Sequence, residues 1–145
     1  MSTLFDGSSV ERLRGTHATP NLFSVLGVRA ARGRTFAENE TGVAVISDRL
    51  WRQRFGADPG IVGKAVTLAT GRFRPRRRVE IIGVLPERFH FDYPQETEVW
   101  LPLTWSAIAS EFQVALLYRA VARLRSDTPS QAAEAAMQAT MLRAT

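Results

Sequence analysis

Apolar residues along this 145-residue chain fall mostly into short runs of period two, punctuated by Gly and Pro and interrupted by segments of helical period. Between positions 8 and 18, S-S-V-E-R-L-R-G-T-H-A alternates weakly. Leu13, Gly15 and His17 share one face and Arg12, Arg14 and Thr16 the other, which predicts a strand. T-P-N-L-F-S-V-L-G then carries helix punctuation. Thr19 suits an N-cap, Pro20 the first helical position and Gly27 the left-handed residue past the end, with Leu22, Phe23 and Leu26 turned inward.

Residues 29–42 read as loop, and V-A-V-I-S at 43–47 as a short buried strand. Ser47 caps a helix over 48–55 that carries Trp51 and Phe55 on one face and stops at Gly56. Residues 64–69 form a strand with Val66 and Leu68 on one side, and 79–85 an interior strand, apolar on both faces from Ile81. P-E-R-F-H-F-D-Y-P is an aromatic loop in which Phe89, Phe91 and Tyr93 alternate, a pattern that fits packing across a hydrophobic seam better than a ligand pocket. E-V-W-L-P-L is a strand closed by Pro102. In 116–125, Tyr118, Ala120, Ala122 and Leu124 oppose Arg119, Arg123 and Arg125, which predicts a further strand. An alanine-rich helix follows, opened by a Thr128–Gln131 capping box and Pro129. It carries no stop signal before Thr145, and the chain opens almost directly into a strand, so a piece of a longer protein is expected.

Composition narrows the classes. The content, 45% hydrophobic and 23% charged, is that of a folded domain large enough for a real core. There is no cysteine, so disulfides, thiolate metal sites and cysteine nucleophiles are excluded. No apolar run is long enough to span a bilayer, and M-S-T-L-F-D-G-S-S-V is not an export signal. Net charge is +5, and every basic residue except Lys64 is arginine.

Five of those arginines, Arg72, Arg74, Arg76, Arg77 and Arg78, crowd the G-R-F-R-P-R-R-R stretch. Pro75 in their midst rules out a helix that carries them into a nucleic-acid groove, and no recognition motif accompanies them. A basic hairpin tip between strands 64–69 and 79–85 accounts for both flanks. Contact with nucleic acid, a lipid headgroup or an acidic partner ranks second.

Catalytic chemistry is not legible. Gly63-Lys64 is followed by Ala65, and Asp58 stands where a phosphate-binding loop needs its first glycine, so no ATP site forms here. His17 and His90 lack metal-ligand spacing, and no serine sits in a nucleophile elbow. Asp92, Glu96 and Glu98 read as a solvated acidic loop rather than a glycosidase pair, and Asn39-Glu40-Thr41 is a chance-prone sequon. No catalytic, cofactor or metal residue is predicted.

Four segments in order, A-T-P-N-L-F-S-V-L-G-V-R-A-A-R-G-R-T-F, V-A-V-I-S-D-R-L-W-R-Q-R-F-G-A-D-P-G-I-V-G-K-A-V-T-L, I-I-G-V-L-P-E-R-F-H-F and E-V-W-L-P-L, resemble the extracytoplasmic core domain of MacB/FtsX-type ABC transporter permeases. The likeness covers about 18–104, and V-A-R-L-R with its capped helix extends it. It implies an α+β fold: a porter-like βα subdomain from residues 1–42 and 104–145, incomplete, and an inserted β-rich subdomain at 43–103 with one short helix. It implies a non-enzymatic module without cofactor, on the periplasmic or extracytoplasmic side of a bacterial inner membrane. Such a module relays ATP-driven motion in export, efflux or lipoprotein handling. Its implied partners are the permease's membrane helices, a separate cytoplasmic ATPase, a periplasmic adaptor or lipoprotein, and a second copy in a dimer. The family's first strands and its return strand are missing, which would leave open sheet edges and an isolated piece of marginal stability. The arginine stretch is longer than the family's turn, and no family role explains it. The alternative is a free-standing basic protein that binds nucleic acid or anionic lipid through the Arg72–Arg78 hairpin.

Overall fold

The computed structural model of the chain describes residues 2–6, 9–70, 75–91, 96–104 and 119–144. Eight strands form one mixed sheet: β1 (Ser2–Asp6), β2 (Ser9–Leu13), β3 (Gly15–Ala18), β4 (Arg32–Gly33), β5 (Val43–Ile46), β6 (Ala65–Thr70), β7 (Arg77–Val84) and β8 (Val99–Pro102). Among the described residues three helices accompany them, α1 (Leu22–Leu26), α2 (Asp48–Phe55) and α3 (Ser130–Ala144).

The strand path runs β2-β1-β6-β7-β5-β8-β3, with β4 paired to β7 off that path. Its two ends, β2 and β3, are separated in the chain by Arg14 alone. Laid flat, seven strands would hold those ends about 29 Å apart at ~4.8 Å per step. Leu13 and Gly15 can be no more than about 7 Å apart. The sheet therefore curls round on itself, and its two faces carry separate cores.

Inside the curl lie Leu4 of β1, Leu13 of β2, Leu68 of β6, Ile81 of β7, Ala44 of β5 and Val99 of β8. Outside, Val43, Val45, Ile82 and Trp100 pack with Phe23 of α1 and Phe36 of the following loop. The alternation of β5 makes this sorting automatic, since Val43 and Val45 point out while Ala44 and Ile46 point in. In β7 the register slips opposite Ala44 and Val45, so that Ala44 pairs with Ile81 and Val45 with Gly83. Ordinary alternation sends Ile81 inward and Ile82 outward, and the bulge lets Val84, three residues past Ile81, return to the inner core.

α2 plugs one end of the curl. Ser47, just past β5, accepts a hydrogen bond from the Leu50 amide at 3.1 Å, and Gly56 closes the helix at φ 59°. Leu50 and Trp51 join the inner core, and the Trp51 indole N–H donates to the Asp58 carbonyl at 2.8 Å. Arg54 of α2 reaches Asp6 on β1 at 2.8 Å and Glu11 on β2 at 3.0 Å, so the plug is pinned to the first hairpin.

Several sequence expectations change. The strand expected over 8–18 breaks at Arg14 into two strands at opposite ends of the path, because the segment around Glu98 takes both Arg14 backbone groups. The Arg14 amide donates to the Glu98 carboxylate at 3.0 Å, and its carbonyl accepts from the Glu98 amide at 2.8 Å. β1 and β4 were not expected; Ser2 and Leu4 are nevertheless fully buried. α1 starts at Leu22 with Asn21 as N-cap, and Thr19 instead donates its hydroxyl to Asn21 at 2.8 Å. Of the strand expected over 116–125, residues 116–118 lie outside the described residues and 119–125 form no strand. Arg123 there donates to the Val25 carbonyl at the end of α1 at 2.9 Å. β1 and β3 pair with β6 and β8, so strands from both sides of position 42 share one sheet.

Gly33 and Gly83 face each other where β4 crosses β7. A methyl group on Gly33, which sits at φ 66°, would drive into the Ile82 carbonyl oxygen, and one on Gly83 into that of Arg34. Gly56 has a similar φ of 59° but open space around it. Gly33→Ala should therefore destabilise the fold by more than about 2 kcal/mol, whereas Gly56→Ala should cost only about 1 kcal/mol of backbone strain. Equal shifts in the urea midpoint would show that the close approach imposes no constraint.

Candidate functional site

Among the described residues, the end of the curl opposite α2 is open. Val43 begins β5, Thr70 ends β6, Arg77 begins β7, Leu101 and Pro102 end β8 and His17 lies near the end of β3; all line one cleft of about 670 Å³. Its floor is the inner core, through Leu68, Val79 and Leu101, and its rim is polar, with Thr41, Thr70, Arg77 and Arg78.

The arginine stretch is thus split by the fold. Arg72 and Arg74 lie outside the described residues. Arg76 turns to the first strand, its guanidinium 3.9 Å from the centroid of the Phe5 ring. Arg77 and Arg78 belong to β7 itself, paired with Leu68 and Thr67 of β6, so both are strand residues rather than the hairpin tip. Both are exposed, and both contribute to the cleft rim. Sequence reasoning found the charge but not the cleft, whose walls come from positions between 17 and 104.

A latch beneath the rim fixes Thr41 and Gly42. Glu40 accepts from Arg34 at 2.9 Å and from the Ala37 amide at 2.9 Å, which closes the loop that leads into β5. The Arg34 hydrogen bond, more than the modest burial opposing it, holds the Glu40 carboxyl below the usual glutamate range.

The other sequence candidates have structural employment. Glu96 pairs with Arg14 and sits 4.0 Å from Arg49, while Glu98 binds the Arg14 amide. These carboxylates hold the crossing at Arg14 instead of forming an acid–base pair, and Asp92 lies outside the described residues. Phe89 stacks on Phe91 at 6.3 Å and packs against Trp100 at 5.9 Å, so this part of the aromatic loop seals the outer core; Tyr93 lies outside the described residues. His90 is exposed beside a smaller hollow of about 410 Å³ that also takes in Asp48, Glu87, Glu96 and Glu98. Among the described residues, no group of three or more His, Asp or Glu could hold a metal ion, and no helix is long and apolar enough to cross a membrane.

Two solved structures share a mixed sheet of this kind with few helices. The extracellular domain of the noncanonic ABC-type transporter YknZ from Gram-positive bacteria aligns with a TM-score of 0.53 at 19% identity, over 78% of this chain and 54% of that one. A domain ascribed to a permease protein from Porphyromonas gingivalis aligns with a TM-score of 0.59 at 17% identity, over 98% of this chain and 67% of that one. This chain therefore spans about half the length of the first. At such identities the likeness is one of fold.

The sequence carries the assignment further. The model of the MacB-like periplasmic core domain matches residues 2–140, and the chain belongs to that family. It is an extracytoplasmic domain of an ABC-type transporter permease. No curated protein matches it.

Because Glu40 is more acidic in the folded chain than in the unfolded one, its contribution is present above the unfolded glutamate range. It is lost as pH falls through the lowered folded value. Glu40→Gln should cost no more than about 1 kcal/mol at neutral pH, given the exposed Arg34 partner. Urea midpoints of variant and parent should converge once the pH is taken below that folded value; a difference that persists in acid would assign the effect to packing.

Proposed function

We propose that the chain is a non-catalytic relay. It is a stiff extracytoplasmic body that passes ATP-driven movement of a permease's membrane helices to a substrate or partner protein in efflux, export or lipoprotein handling. The family match over residues 2–140 is the observation that carries this reading. The packing supports it mechanically. Strands drawn from residues 2 to 102 share one sheet with an apolar core on each face, so a displacement applied at one strand is spread through backbone hydrogen bonds.

In this reading residues 1–42 and 104–145 build one subdomain around an inserted unit at 43–103, and the shared sheet makes the two move together. The energy comes from a separate cytoplasmic ATPase through the permease's membrane helices. A periplasmic adaptor or lipoprotein docks on exposed loops, and two copies work as a dimer.

The absence of native cysteine from this chain makes a direct test possible, because introduced cysteines here can be labelled selectively once those elsewhere in the permease are removed. Val10 on β2 and Val62 in the turn before β6 are exposed and suit spin labels. In the complete permease with its ATPase, the Val10–Val62 distance should stay fixed between nucleotide-free and ATP-bound states. The distance between Val10 labels of the two copies should change. A body that deforms internally, or one that does not shift with nucleotide at all, would refute the relay.

A further inference from the structure

The relay makes no use of the arginines at the mouth of the curl. Arg77 and Arg78 make no ion pair or side-chain hydrogen bond among the described residues, although Arg14, Arg34, Arg52 and Arg54 each hold a carboxylate. They face a concave cleft of about 670 Å³, a size that holds a small ligand. No Asp or Glu is among the described residues that line it. The smaller hollow at the other side of β5 has the opposite character, with Asp48, Glu87, Glu96 and Glu98 around Arg49. Charge therefore differs between these two concavities, and of the pair the mouth is the one that favours an anion.

The cleft also has an apolar floor. Leu68, Val79 and Leu101 end the inner core there, with Val43 beside them. A free phosphate would satisfy the guanidinium groups and leave that floor wet. A neutral lipid would cover the floor and leave two arginines unpaired. A nucleic-acid strand tracks an extended basic groove with successive stacking rings, whereas this hollow is closed behind by the packed core and by α2.

We propose that the cleft binds a single-chain anionic amphiphile. Its carboxylate or phosphate head sits between Arg77 and Arg78 with the rim hydroxyls of Thr41 and Thr70 in reach, and its apolar stem lies over Leu68, Val79 and Leu101. This goes beyond the relay and stands without it, because it rests on the cleft alone.

The test is calorimetric titration of the 145-residue chain with dodecyl phosphate and with laurate, each below its micellar threshold. Saturable binding of either supports the site, and the tighter of the two identifies the head group. Inorganic phosphate and dodecyl maltoside should each bind at least tenfold more weakly. Arg77→Gln combined with Arg78→Gln should weaken the amphiphile at least tenfold with the far-UV circular dichroism unchanged, while Arg143→Gln on α3 should leave it unaltered. On the unsubstituted chain, a nitroxide-labelled fatty acid should broaden the amide signals of Leu68, Val79 and Leu101 selectively. Absence of saturable binding would overturn the proposal. So would inorganic phosphate matching the amphiphile, an equal loss from Arg143→Gln, or broadening centred elsewhere.

Discussion

One residue position governs the architecture. At Arg14 the chain leaves one end of the sheet and enters the other, and segment 96–99 holds it there through the Glu98 carboxylate, the Glu98 and Val99 amides and the Glu96 ion pair. A strand that kept its ladder through Arg14 would run straight on. With amide and carbonyl both committed to the partner segment, it cannot. Gly15 permits the crossing, because a side chain there would collide with buried Ser2. The curl, the separation of two cores and the existence of a mouth follow from that single crossing.

The two ends of the curl differ because, among the described residues, a helix closes one of them and none closes the other. β5 runs from the mouth to Ser47, whose side chain starts α2, and Leu50 and Trp51 fill the far end. At the near end the strands simply stop, on Thr70, Arg77 and Pro102, and nothing apolar among the described residues covers them. The Glu40 latch then sets the height of one wall. Rim chemistry and core packing are thus consecutive residues of the same strands, as Arg77, Arg78 and Val79 show.

Local signals were legible where structure is local. Ser47 and Gly56 mark α2 in the sequence as they do in space, and V-A-V-I reads as the short buried strand it forms. The interior character of 79–85 and the closing role of Pro102 also hold. The break at Arg14 was not legible, since its cause lies 84 residues away in Glu98. β1 escaped notice because S-T-L-F-D offers one buried leucine and a buried serine, too short a pattern to register. Arg119 to Arg125 shows the reverse error. Alternation alone does not make a strand when no neighbour supplies a ladder. The arginine cluster was plain in the sequence, but the cleft it borders is assembled from β3, β5, β6, β7 and β8, and no linear motif records that.

α3 stands apart from this cooperative body. Almost every described residue along it is exposed, Met137 at 55% and Leu142 at 79%, and its alanines present no apolar stripe. In the chain by itself its helicity rests on intrinsic propensity, which for about fifteen residues is marginal in water. Warming would fray it gradually, long before the barrel-like body gives way, so ellipticity at 222 nm would drift without a midpoint. The loss of near-ultraviolet signal from the packed indoles would remain abrupt. Two optical bands would then report two separate thermodynamic units in one polypeptide.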